Sequence, residues 1–145
     1  MPITGHCHCA AVTYSLAQDT LPTVYACHCT ICQRWSGSAF ALHALLPEGA
    51  LRITGPLTEY SHEHQGQVSN QRCCAVCHTR LFNTTSAAPG LLVLRAGTLT
   101  RAVDLVPAAH IWTHSKQTWL ALPDGVPSWP HSPTPEQFAS ALSKR

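Results

Sequence analysis

Cys7 and Cys9, then Cys27, Cys29 and Cys32, then Cys74 and Cys77 place seven of the chain's eight cysteines in three tight groups. Thiolates at such short gaps are what zinc requires, because each pair sits on one strand or knuckle and can occupy neighbouring corners of a tetrahedron. On an extended strand Cys7 and Cys9 point to one face about 6.6 Å apart, close enough for a local bend to aim both sulfurs at one ion. The CxxC knuckle of Cys74 and Cys77 supplies two further ligands, and four thiolates form the closed set of a structural zinc. The middle group is chemically different. Three thiolates within Cys27–Cys32 leave a fourth corner, which is either open to water and substrate, as in a catalytic zinc, or closed by Cys73, His28 or another His. The expectation is two zinc ions, one structural and one catalytic. A disulfide framework is the competing chemistry, but CxC spacing would force strained local bridges, and a reducing compartment keeps such residues as thiols.

Composition excludes several function classes. The 145 residues suit a single domain, and a formal charge of +2 with nine scattered Lys and Arg offers no phosphate-binding stripe, so nucleic acid is not an expected partner. No apolar run approaches the roughly 20 residues that span a bilayer, and MPITGHCHCAAV has neither a basic start nor a hydrophobic signal core. A cytoplasmic protein with no membrane partner is expected. Ten His are present; taken singly, positions such as His62, His64 and His131 read as solvated residues rather than ligands.

The elements that must hold the cysteines read as many short strands. Val12, Tyr14 and Leu16 alternate as in a half-buried strand, and β-rich stretches recur at Thr23 to Ala26, Ala39 to Leu46, Leu51 to Thr54 and Leu57 to Ser61. Further candidates run from Val68 to Cys73, Arg80 to Thr84, Leu91 to Leu99 and His110 to Trp112, with turn signals at Pro47 to Gly49, Gly55-Pro56 and Pro89-Gly90. Strand spacing of about ten residues implies antiparallel sheet rather than repeated βαβ units. The C-terminus carries the one clear helix signal. Thr134 can cap, Pro135 suits the first helical position, Gln137 completes a capping box, and Phe138, Ala141 and Leu142 form an apolar face. The Pro-rich stretch from Pro123 to Pro135 is then an extended segment laid over the domain.

The ordered series GHCHCAAVTY, ACHCTICQRWSG, RCCAVCHTRLF, VLRAGTL and HIWTHSKQTWL, from Gly5 to Trp119, resembles the glutathione-dependent formaldehyde-activating enzyme family, which also contains centromere protein V. The resemblance implies a mainly β fold of the Mss4-like type, with tent-like antiparallel sheets around zinc sites and a short C-terminal helix. It implies one zinc-binding domain over residues 1–145, with its core at about 5–120 and the extended segment and helix in 121–145. By similarity Cys7, Cys9, Cys74 and Cys77 hold the structural zinc, and Cys27, Cys29 and Cys32 the catalytic one. The implied activity is a carbon-sulfur lyase reaction in reverse, in which glutathione and formaldehyde condense to S-(hydroxymethyl)glutathione.

A ligand of glutathione's size carries two carboxylates and an amine, which makes Arg34, just beyond Cys32, and Lys116, in the SKQTW element, the candidate substrate-binding cations. His110 is a third pocket candidate, from the family's downstream element. Several positions depart from the family pattern: Ala10 and His78 stand where Gly is usual, Cys73 where an aromatic precedes the cysteine pair, and Thr100 where Asp is frequent. Two other readings compete with an enzyme: a non-catalytic two-zinc binding module, if Cys73 closes the second site, and a thiol-based redox or zinc sensor.

Overall fold

A computed structural model describes residues 2–143. The chain is mainly β, with antiparallel sheets and a short C-terminal helix, and it forms two compact units, each built from two stretches of sequence. Among the described residues the first comprises 2–22 and 44–104, the second 23–43 and 105–143.

In the first unit, strands β1 (Ile3–His6), β2 (Thr13–Leu16) and β5 (Leu51–Thr54) make a three-stranded antiparallel sheet in the order β1-β2-β5. The alternation at Val12, Tyr14 and Leu16 is the buried face of β2, while β1 was not foreseen because Ile3 and Gly5 are too few to show a period. Gly5 lies directly opposite Tyr14, whose ring crosses it so that the phenol reaches Thr98 Oγ1 at 2.7 Å. A Cβ on Gly5 would fall 2.2 Å from that ring and 2.7 Å from the Thr98 carbonyl oxygen, so only glycine fits beneath it.

Burial pushes the Tyr14 phenol up to about 12, against a weaker opposing effect of its bond to Thr98. The unfolded chain loses this proton near pH 10 and the native protein near 12, so the stabilisation is complete below 10 and lost as pH rises through 12. Two pH units at a side chain 4% exposed correspond to about 2–3 kcal/mol. Urea unfolding between pH 9 and 12 should therefore show a decline that the Tyr14→Phe protein lacks; equal slopes would remove Tyr14 from the alkaline limit of stability.

The same unit holds the long antiparallel strands β6 (Leu57–His64), β7 (Gln67–Cys74), β8 (Arg80–Thr85) and β9 (Leu91–Arg95), adjacent in that order. Leu81, Leu92 and Leu94 bury their side chains from β8 and β9. The apolar run expected to continue to Leu99 leaves the strand after Arg95, because residues 96–98 tighten into a helical turn that presents Thr98 to Tyr14. Strand β4 (Ala41–Pro47) gives its last residues to this unit and its first to the second.

In the second unit, β3 (Val24–Cys27) is buried at all four positions and pairs with β10 (Pro107–Ile111). This pair is parallel, against the antiparallel expectation; nearly eighty residues separate the two strands, so no hairpin dictates their direction. The stretch before the C-terminal helix turns at Asp124 and Gly125 and is then hydrogen-bonded along β10, with His110 N donating to Pro127 O and Trp129 N to His110 O, both at 3.0 Å. Helix α2 (Pro135–Ser143) begins at the anticipated capping box: Gln137 N donates to Thr134 Oγ1 at 3.2 Å and Thr134 N to Gln137 Oε1 at 2.9 Å. Its Phe138 ring meets Tyr25 edge-on. Among the described residues no helix is long and apolar enough to cross a membrane.

A second helix, α1 (Thr30–Ser36), follows β3 directly. It was not read from the sequence because it buries no residue and so shows no apolar stripe. Its cap is also unusual, the Cys29 side chain accepting from Cys32 N at 3.3 Å. The legible signal was at the other end, where Gly37 adopts φ 62 and its N–H returns to Gln33 O.

Candidate metal centres

Cys7, Cys9, Cys74 and Cys77 bring their sulfurs within 4.8 Å of one another in the first unit. Two knuckles do this. Cys7 N donates to Val12 O at 3.1 Å and Ala10 N to Cys7 O at 3.1 Å; Cys74 N donates to Thr79 O at 2.9 Å and His78 N to Cys74 O at 2.9 Å. Each knuckle closes through a residue in the left-handed region, Ala10 at φ 64 and His78 at φ 67. These are the two positions where the family pattern favours Gly, and the turn geometry supplies the reason. Ala10→Gly and His78→Gly should each raise stability by about 1 kcal/mol in urea unfolding; a loss of stability would mean that their side chains hold the knuckle rather than strain it.

The donor set fits zinc. A tetrahedral ion with Zn–S near 2.3 Å needs sulfurs about 3.8 Å apart, and Cys7 Sγ lies 3.6 Å from Cys9 Sγ, which lies 3.8 Å from Cys74 Sγ. Backbone donors already point at the sulfurs: Val12 N to Cys7, Ala11 N to Cys9, and both Val76 N and Cys77 N to Cys74, at 3.3–3.4 Å. Such N–H groups stabilise thiolate over thiol. The Thr79 hydroxyl, 3.1 Å from Cys77 Sγ, leads the effects that lower Cys77 to about 5. The same hydroxyl accepts from His8 N at 3.2 Å and so ties the two knuckles together.

Cys27, Cys29 and Cys32 form the other group, in the second unit, and no fourth His, Cys, Asp or Glu joins them among the described residues. Cys27 ends β3, Cys29 caps α1 and Cys32 lies in the first turn of α1. The thiols of Cys27 and then Cys32 donate to Cys29 and hold it far below the usual thiol range, helped by backbone N–H groups, while the same sharing pushes Cys27 up. A group in which one thiol ionises readily is a ready metal ligand set. Either group could therefore hold a metal ion.

Cys73 belongs to neither group. Burial raises its thiol against the lowering charges of Arg80 and Arg95, whose guanidiniums both donate to Gln71 Oε1. His28, a candidate for the fourth corner, does not join the middle group; it is fully buried, and its Nε2 lies 2.9 Å from His110 Nδ1. Burial, then the charges of His110 and Lys116, lower His28 to about 4, so the pair is neutral near pH 7. His110 itself is 6% exposed. Lys116 directs Nζ at two backbone carbonyls, Leu120 O at 2.6 Å and Gln117 O at 3.2 Å.

Arg34 is exposed and lines a cavity of about 650 Å³ with Thr30, Gln33, Phe40, Gln117 and Trp119. Thr30, Gln33, Arg34 and Gly37 follow the i, i+3, i+4, i+7 rule, so they share a face of α1 that adjoins the one carrying Cys29 and Cys32. Gln33 pins that face, donating through Nε2 to His28 O at 2.7 Å and Ser115 O at 2.9 Å. Gln33, Gln117 and Phe40 were missed in the sequence, because they become neighbours only through tertiary structure.

A crystal structure of a Rhodobacter sphaeroides protein, solved as a structural-genomics target, is similar to this chain with a TM-score of 0.55 and 21% identity, covering 72% of this chain and 97% of that one. At that identity the likeness concerns the fold. No curated protein matches the sequence. The family model described as glutathione-dependent formaldehyde-activating enzyme matches residues 2–115, a span that contains both cysteine groups, and the chain belongs to that family.

Proposed function

We propose that this protein is a zinc-dependent enzyme of the carbon-sulfur lyase type that makes and breaks the adduct of a thiol with an aldehyde. Glutathione and formaldehyde, giving S-(hydroxymethyl)glutathione, are the pair that the family description suggests. The observation that carries this reading is the middle cysteine group, three converging thiols with no fourth ligand joining them among the described residues. Its helix turns an adjoining face to a cavity.

Cys27, Cys29 and Cys32 would hold the catalytic zinc, and Cys7, Cys9, Cys74 and Cys77 the structural one. Zinc bound by three thiolates supplies Lewis acidity that favours the thiolate form of an incoming thiol. The chain's own residues bind and orient. Arg34 offers a guanidinium to a substrate carboxylate, and Trp119 and Phe40 offer aromatic surface. Gln33 keeps α1 fixed against the backbone of His28 and Ser115, so the cysteines and Arg34 hold their relative positions. In the addition the thiol sulfur forms a bond to the aldehyde carbon, the carbonyl π pair moves to oxygen, and that oxygen takes up a proton equivalent to the one the thiol released. No oxidant or reductant is consumed. A reducing, cytoplasmic setting suits a reaction that needs free thiols on both enzyme and substrate.

Glutathione and formaldehyde also combine spontaneously, so product formation alone is not a test. The decisive measurement is the exchange rate between free glutathione and its hydroxymethyl adduct at equilibrium, followed by NMR. Acceleration by the zinc-loaded protein over a protein-free sample supports the enzyme; equal rates remove this pair as its substrates.

A further inference from the structure

The middle cysteines are taken here, as in the proposed function, as an open thiol-binding centre, and the cavity beside them bears on which thiol it accepts. Its polar inventory is small. Gln33 spends both amide hydrogens on His28 O and Ser115 O, and its Oε1 accepts from Gln117 Nε2 at 3.4 Å. The other end of Gln117 accepts from Trp119 Nε1 at 2.6 Å. Gln33 has no amide hydrogen left for a ligand, and Gln117 keeps one. Lys116 is held on two backbone carbonyls.

What remains for a ligand is the Arg34 guanidinium, the Thr30 and Ser38 hydroxyls, one amide hydrogen of Gln117 and two aromatic rings. Among the described residues no acidic side chain lines the cavity. Trp119 is 71% exposed yet fixed by its bond to Gln117, and a large apolar ring held at a cavity rim is an unusual surface feature. Phe40 faces the same space with its ring tilted against His28 at 5.2 Å.

We infer that this site takes thiols bearing a single carboxylate and an apolar or aromatic body, in preference to glutathione. One guanidinium matches one carboxylate in a forked pair. Glutathione brings a second carboxylate and an ammonium, and among the described residues the cavity offers neither a second cation nor an anion to meet them. Charges brought to a site without partners lose hydration that nothing replaces. The aromatic rings, by contrast, gain from a flat apolar substituent. The bond changes are those of the proposed addition: the carbon-sulfur bond forms, the carbonyl pair passes to oxygen, and the thiol proton is accounted for there.

The test compares thiol-aldehyde exchange for three thiols at matched concentration: a phenyl-substituted mercaptopropionate, its methyl ester and glutathione. Each is measured with the native zinc-loaded protein, Arg34→Gln and Trp119→Ala. The acid should be the best substrate, with kcat/KM about tenfold above both ester and glutathione. Arg34→Gln should bring acid and ester to the same kcat/KM, and Trp119→Ala should slow acid and ester alike by a severalfold factor. If glutathione is turned over best, or the preference for acid over ester survives Arg34→Gln, the inference is overturned while the enzyme reading stands. If no thiol is accelerated, the enzyme reading fails and this inference with it.

Discussion

Cys74→Ser is expected to abolish cooperative unfolding and to release the zinc proposed to bind with Cys7, Cys9 and Cys77. Cys74 is 0% exposed, and its sulfur accepts from Val76 N and Cys77 N and lies 3.8 Å from Cys9 Sγ. A serine there keeps the shape but exchanges a soft thiolate for a poorly ionised hydroxyl. Structural zinc contributes an apparent ~10 kcal/mol or more to folding, which is comparable to the whole stability of a typical domain. Losing one ligand therefore exceeds the margin that the β1, β2 and β5 sheet and the small aliphatic core can sustain. Zinc content, near-UV circular dichroism and thermal melting read the outcome, and a strong chelator should reproduce it in the unaltered protein. Cys73→Ser, next in sequence but outside the group, should retain both zincs and a near-native melt. A Cys74→Ser protein melting cooperatively within about 5 °C of the parent would show that this metal does not hold the fold together.

Cys32→Ser should have the opposite profile, with the fold retained and the chemistry lost. Cys32 is half-buried, and the backbone bond from its N–H to Cys29 Sγ does not depend on its own thiol. Helix α1 buries no side chain of its own and stays anchored through Gln33 to His28 O and Ser115 O. The change in unfolding free energy should stay within about 1–2 kcal/mol. Zinc should fall from two equivalents to one, and thiol-aldehyde exchange should drop at least about a hundredfold, to the protein-free rate. Full exchange with a single zinc would move the chemistry away from this centre. Two tightly held zincs would mean that Cys32 is not a ligand.

Several features were legible because their physics is local. Strand β5 matches its expected limits, the alternation at Val12, Tyr14 and Leu16 buries one face, and the Thr134–Gln137 capping box opens α2. Other features carry no local signature. Strand β1 is short and contains Gly5, and α1 exposes Ile31 instead of burying an apolar stripe. The sequence placed His110 and Lys116 in a pocket; the structure binds His110 to His28 and Lys116 to backbone carbonyls, contacts that spacing along the chain does not encode.

The sequence by itself determined which cysteines group together, because a metal site built from knuckles needs ligands two or three residues apart and this requirement survives any choice of surrounding fold. It also determined family membership, since five motifs in fixed order are a property of the chain and not of its coordinates. Tertiary structure alone decided that Cys73 joins neither group, that His28 and His110 meet across parallel β3 and β10, and that Ala10 and His78 take positive φ. It also decided which cation faces the cavity. Those outcomes depend on strand direction, on turn closure and on the carbonyls that compete for each donor, all of which join residues far apart in sequence.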